Sequence, residues 1–459
     1  MTVLAGSALR PARSVFCRPH ASFLRDFSLL IALMALALAS NAARAQDPSP
    51  AETAPKEALA APAAAPAEAP KADAAPEAAS DPAVLKIRIL MAREIREDRL
   101  PPLSLLDIPP PDDGVAGAKL AISDNNTTGR FLKQEFVLDI VQSATPAELV
   151  AEVKKRVDDG VSYIVADASA TTLLALSDAL KDKDAVIFNA SAPDEAIRED
   201  QCRVNIKHTA PSRSMLTDAL GQYMAWKQWR KWVMVVGPTP EDKLYAEAMR
   251  RTAKRFGHKI VEEREFKYDP GSRRSDGGFE QIQQQIPGFM QGLPEHDVVV
   301  IADEGELFGE YFPYRTWISR PVIGTVGLFA TPWHPAIELW GGTQFQNRFK
   351  RLSGRTMRPL DYNVWAAVRS VGEAATRKNS GDPKALIPYM RSPEFELAAF
   401  KGQKVTYRAW NGQLRQPILL ATAKILVSVS PQQGFLHQYT ELDTLGVDQP
   451  ETKCTAFKK

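Results

Sequence analysis

Gly160–Ser191 reads GVSYIVADASATTLLALSDALKDKDAVIFNAS, and the fold follows from its rhythm. Ser162–Ala166 (SYIVA) is a short apolar run suited to a buried strand. Thr171–Lys181 then carries apolar residues at helical spacing, and Ala185–Asn189 (AVIFN) is a second strand. Strands joined by a helix of this length lie parallel, because only a crossover returns the chain to the same edge of the sheet.

The alternation continues on both sides of this stretch. Upstream, Ala83–Ala92 (AVLKIRILMA) predicts an opening strand, and Asp112–Asn125 a helix ending at the turn-rich Asn125-Asn126-Thr127-Thr128-Gly129. Phe131–Val141 predicts a strand and Pro146–Gly160 a helix stopped by glycine. Downstream the pattern restarts. Ser212–Trp226, Glu241–Phe256 and Gly278–Met290 are helical, interleaved with strands at Trp232–Gly237, Lys259–Phe266, Asp297–Ala302 and Pro321–Gly324. A long helix follows around Tyr362–Thr376. Lys404–Trp410 and Ile418–Val429 flank Asn411-Gly412, which predicts a terminal hairpin. The fold class is therefore α/β, as two lobes with mainly parallel sheets flanked by helices. Such sheets bind ligands beyond the C-terminal ends of their strands, so facing lobes would enclose a cleft.

The ends of the chain carry other signals. Residues 1–45 read as a cleavable export signal: Arg10, Arg13, Arg18 and Arg25, then the apolar run Phe27–Ala39, then Ala43-Arg44-Ala45. The alternative is an uncleaved anchor, although the run is short for a membrane ~30 Å thick. Residues 46–83 read as a linker, with 16 Ala and 8 Pro among 38 residues. The expected product is exported, soluble and periplasmic. Lobe 1 is drawn at 84–208 with a return segment at about 325–380, and lobe 2 at 209–324 with a C-terminal segment at about 381–459.

The chain has 459 residues, 44% hydrophobic and 24% charged, with net charge +2. That composition excludes a wholly disordered chain, a collagen-like fibre and a disulfide-dense miniprotein. Signal (+4) and linker (−5) nearly cancel, leaving +3 on residues 84–459, too little for an electrostatic nucleic-acid binder. Trp226, Trp229 and Trp232 among Lys227, Arg230 and Lys231 imitate a base-stacking surface, but run from a helix end into a strand and are read as core. Cys202 and Cys454 remain after export, either as one disulfide or as two thiols. Gly-x-Ser-x-Gly, His-Glu-x-x-His, Walker and dinucleotide-binding motifs are missing, and the histidines lack metal-ligand spacing; no enzyme activity, cofactor or metal is expected.

Candidate site residues lie just past strand ends. Ser169, Ala170 and Thr171 open a helix, where backbone N–H groups and hydroxyls favour an anion such as a carboxylate, or simply cap the helix. Asn189 and Ser191 follow the next strand, as ligand contacts or as turn residues. In the second block Tyr245 could wall a pocket, while Asp303 and Glu304 could receive an amine or hydroxyl.

These residues resemble the type I periplasmic binding proteins, the leucine/isoleucine/valine-binding type of ABC importers. The resemblance rests on DDGVAGAKLAISDNNTTG (Asp112–Gly129), GVSYIVADASATT (Gly160–Thr172) and AVIFNASAPDEAIR (Ala185–Arg198). It continues through Lys231–Val261, DVVVIADEGELFGEY (Asp297–Tyr311) and Phe400–Leu420. DNNTTGRFL (Asp124–Leu132) and IADEGELFGEYFPYRT (Ile301–Thr316) are similar to the subgroup encoded with pyrroloquinoline quinone (PQQ)-dependent alcohol dehydrogenase systems. The resemblance implies a monomer that closes on a small ligand and hands it to a permease and ATPase. Ser169, Thr171 and Ser191 would hold a carboxylate, and an acidic residue of the second lobe an ammonium. Hinges are expected near Asn205–Thr209 and Gly324–Gly327. The alternative is a regulatory or scaffolding protein that keeps the fold without transport.

Overall fold

The computed structural model describes residues 84–96, 108–267 and 276–458. The stretches read from the sequence as an export signal (residues 1–45) and a linker (46–83) lie outside the described residues.

The first sheet has the order β2-β1-β3-β4-β5, all parallel: β1 Leu85–Glu94, β2 Gln134–Ser143, β3 Tyr163–Asp167, β4 Val186–Asn189 and β5 Ile206–His208. Alternation along β1 explains why the sheet is covered on both sides, since successive side chains point to opposite faces. Ile87, Ile89 and Met91 join one apolar cluster with helices α1 (Val115–Gly129) and α8 (Pro359–Lys378). Leu90 and Ala92 join another with α2 (Pro146–Asp158) and α3 (Ala170–Ala179). Helices α1 and α8 approach at Gly117, where a Cβ would lie 2.0 Å from the Asp361 carbonyl oxygen, so only glycine fits.

The second sheet repeats this logic. Its order is β15-β14-β10-β9-β8-β6-β7, with β6 Lys231–Val236, β7 Lys259–Glu265, β8 Val298–Ala302, β9 Val322–Gly324, β10 Leu328–Thr331, β14 Ile418–Ala421 and β15 Leu426–Ser430. Pairing is parallel from β7 to β10 and antiparallel at β14 and β15. Trp232, Met234 and Val236 face helices α4 (Arg213–Trp226) and α5 (Pro240–Phe256). Val233 and Val235 face α6 (Asp276–Phe289). Trp232 is fully buried as expected, whereas Trp226 stays exposed beneath the Lys227 ammonium.

Several expectations need correction. Helix α1 does not stop at Asn125 but runs to Gly129, because tertiary partners satisfy its turn-forming side chains. Asn126 exchanges two hydrogen bonds with the Phe136 backbone, and Asn125 donates to the Val368 carbonyl. The hairpin at Asn411-Gly412 is short. There β12 (Lys404–Tyr407) pairs with the two-residue β13 (Leu414–Arg415), and beyond Gln416-Pro417 strand β14 joins the second sheet. Gly324–Gly327 is no hinge, since it links β9 and β10 inside that sheet. The described chain passes between lobes at Thr209–Ser212, Pro332 and Gln416-Pro417. Trp333 to Leu414 packs with the first lobe's apolar cluster, so the boundaries drawn at about 325 and 380 fall within lobes.

Cys202 and Cys454 form a disulfide, resolving the choice left open by the sequence. Among the described residues no helix is long and apolar enough to cross a membrane.

Candidate ligand cleft

Strand ends set the stage. In the first lobe, β1 ends at Glu94, β3 at Asp167 and β4 at Asn189, side by side. Ser169 caps α3, its hydroxyl accepting the Thr172 N–H at 3.3 Å. The anion that this helix end attracts is already present in the chain. Glu94 accepts the Ser169 N–H at 2.6 Å and its hydroxyl at 3.2 Å. Ala170 is half-buried and Thr171 is exposed, both next to this clasp. Asn189 is fully buried and accepts the Ser191 and Ala192 N–H groups at 3.2 and 2.9 Å. Its amide donates to the Ala192 carbonyl at 2.8 Å. It therefore builds the turn after β4, one of the two roles expected of it. Ser191 bridges to Ala168, taking its N–H at 3.0 Å and donating to its carbonyl at 3.1 Å.

The β1–α1 connection adds a carboxyl that sequence reasoning missed. Asp113 accepts from Arg358 at 3.2 Å, while its other oxygen is buried without a hydrogen-bond partner among the described residues. Burial, together with the nearby Asp361 carboxylate, pushes its pKa up to about 6. Asp167 pairs with Arg96 at 3.3 Å. Glu94 and Asp167 had one legible signal, their position as the last residues of parallel strands; Asp113 had none.

In the second lobe, α5 begins with a capping box between Thr239 and Asp242. Tyr245, one turn further on, is 4% exposed, and its hydroxyl has no hydrogen bond among the described residues. Burial, with the Glu304 charge beside it, raises its pKa. Asp303 is fully buried and accepts three N–H groups of its own loop: Leu307 and Phe308 at 2.9 Å and Gly309 at 2.6 Å. Its carboxylate anchors its own loop. Glu304 is held by Arg213 at 2.8 Å; burial raises its pKa against that attraction.

Arg213 unites the two edges. Its guanidinium, 4% exposed at the side chain, also binds Asp194 at 3.1 Å, in the loop after β4. Glu195 of the same loop accepts the Ser214 N–H at 2.6 Å. The loop after β4 and the loop after β8 therefore meet at the start of α4. The structure brings Ser169, Ala170, Thr171 and Ser191 together on one edge, and Tyr245 with Glu304 on the other. Among the described residues no group of three or more His, Cys, Asp or Glu is arranged to hold a metal.

This architecture, with two sheets of mainly parallel strands, three chain passages and C-terminal edges meeting, is the two-lobed fold of periplasmic binding proteins. A family model described as "Periplasmic binding protein" matches residues 112–288. Among solved structures, the chain is similar to a branched-chain amino acid ABC transporter periplasmic ligand-binding protein from Burkholderia xenovorans LB400. Identity is 18%, the TM-score 0.60, and coverage 75% of this chain and 95% of that one. A leucine-, isoleucine-, valine-, threonine- and alanine-binding protein from Brucella ovis, in its closed conformation, is similar at 13% identity and TM-score 0.56, covering 76% and 92%. A solute-binding protein of an ABC transporter from Rhodopseudomonas palustris BisB5, in complex with 3,4-dihydroxybenzoic acid, gives 12%, 0.53, 75% and 97%. No curated protein matches the chain.

Proposed function

We propose that this chain is an exported, periplasmic solute-binding protein of an ABC-type importer, of the leucine-binding-like type. It captures a small polar ligand by hinge closure and presents the closed form, as a monomer, to the permease and ATPase subunits of the inner membrane. The carrying observation is Arg213, which draws together the loop after β4 and the loop after β8. A ligand shifts the open–closed balance only through the contacts it gains in the closed state. On the first lobe those contacts fall to Ser169, Ala170, Thr171 and Ser191, and on the second to Tyr245 and Glu304. The ligand is amino-acid-like, or a metabolite or cofactor linked to PQQ-dependent alcohol oxidation.

Glu94 narrows that choice. A ligand carboxylate reaching Ser169 must displace Glu94, whereas an amine or hydroxyl can bind beside it. Thermal-shift screening of the purified mature protein against amino acids and their amides, alcohols, short acids and PQQ tests the reading. A stabilising response to one class is expected, and a flat response to all of them sinks the importer reading. The same clasp favours one alternative, a non-transporting regulatory or scaffolding protein whose site is filled from within.

A further inference from the structure

The three chain passages between the lobes are tied to one another by buried side chains. Gln413 donates to the carbonyls of His208 and Ala210 at 3.2 and 3.1 Å, and Gln416 to that of Thr209 at 3.0 Å, fastening the third passage to the first. Lys401, 2% exposed, donates to the carbonyls of Pro332 and Pro417, fastening the second to the third. The C-terminal tail adds a link of another kind. Leu445 is buried among the apolar side chains of α4, and the Gly446 N–H donates to Asp218 of that helix at 2.9 Å. Arg251 of α5 binds Glu451 at 2.9 Å. These contacts fix the tail to the second lobe.

The same tail is also held by the first lobe. Arg408 and Arg415, which flank the short hairpin, each donate to the buried Asp443 at 2.9 Å. Further on, Glu199 accepts the Lys453 N–H at 2.6 Å, and Cys454 is bonded to Cys202. The tail is thus held by the first lobe near both of its ends, at Asp443 and Cys454, and by the second lobe between them, at Leu445, Gly446 and Glu451.

We infer that residues 442–454 form a strap across the lobes, and that the Cys202–Cys454 disulfide sets how far the lobes can separate. The three passages bend; a tail docked on the second lobe and covalently closed on the first does not lengthen. Without the bond, the first-lobe grip reduces to non-covalent contacts, those of Arg408 and Arg415 with Asp443, of Arg408 with the Leu442 and Leu445 carbonyls, and of Glu199 with the Lys453 N–H, which can open and re-form, and the lobes swing wider. The purpose of this limit rests on the hinge-closing reading, but the following test contains no ligand and so stands apart from it.

Spin labels attached through unnatural amino acids at exposed Lys181 and Lys243 report the distance between the lobes. The oxidised protein should give one narrow distribution. After reduction with dithiothreitol, and in Cys454→Ser, the distribution should broaden and extend by several ångströms with an unchanged far-ultraviolet circular dichroism spectrum. Superimposable distributions, with both thiols confirmed free, overturn the inference. So does loss of secondary structure on reduction, because the bond would then hold the fold and not the angle between lobes.

Discussion

The two edges of the cleft use one device with opposite commitments. In each, a carboxylate clasps backbone N–H groups beyond a parallel strand. Asp303 takes three of them from residues four to six positions ahead and is wholly buried. Glu94 takes one, with the adjoining hydroxyl, from a residue 75 positions away, and stays half-buried. The first clasp is internal to a loop and cannot be released without undoing it. The second joins the end of β1 to the cap of α3, is partly open to solvent, and can be exchanged for water. The second lobe thus presents a fixed wall, and the first an adjustable one.

Asp303→Ala should be the most damaging change, costing about 4 kcal/mol in denaturant unfolding, since three buried N–H groups lose their acceptor. A cost below that of Glu94→Ala would break the contrast. Next comes pH. Asp113 has a folded pKa of about 6, above its ordinary 3.8, so the native state binds its proton more readily than the unfolded chain. Its charge therefore opposes folding at pH 7, and stability from this group rises as pH falls through 6 towards 4, by about 2 kcal/mol after allowing for solvent screening. Asp113→Asn should remove that component of the pH profile; an unchanged profile would show that the carboxyl is not forced to share the edge with Asp361. Glu94→Ala should cost only about 1 kcal/mol, and added formate should recover part of it by occupying the vacated N–H and hydroxyl. Failure of formate to do so would mean that the clasp is not an anion site. Tyr245→Phe should be smallest, within ~0.5 kcal/mol in stability, because the hydroxyl has no hydrogen bond among the described residues. A lowered ligand response in that variant would sharpen the assignment of the second wall.

The strands and major helices were legible because local pattern and tertiary environment agree. Strand β6 alternates between two apolar clusters, and α5 carries both a capping box and a C-terminal glycine, Gly257. Two helices escaped notice for the opposite reason. Gly342–Ser353 starts after Gly341 in a left-handed conformation with no side-chain cap, and Pro383–Arg391 contains Pro388. The hairpin misled because Asn411-Gly412 does turn the chain, yet Gln416-Pro417 diverts the second arm to another sheet. At the site, position was readable but orientation was not. Nothing local distinguishes Asp303, which faces its own loop, from Glu304, which reaches Arg213. The role of Glu94 depends on a partner that only folding brings close.

The bond between Cys202 and Cys454 spans 252 positions of sequence, and that ring contains the whole second sheet and all three passages. A protease that cuts the exposed Tyr314–Arg320 loop, where Tyr314 and Trp317 stand in solvent, therefore severs the backbone without releasing a fragment. The clipped chain should run as one species on a non-reducing gel and as two on a reducing one. A cut protein can in this way remain whole in mass and assembly, its damage hidden until a thiol uncovers it.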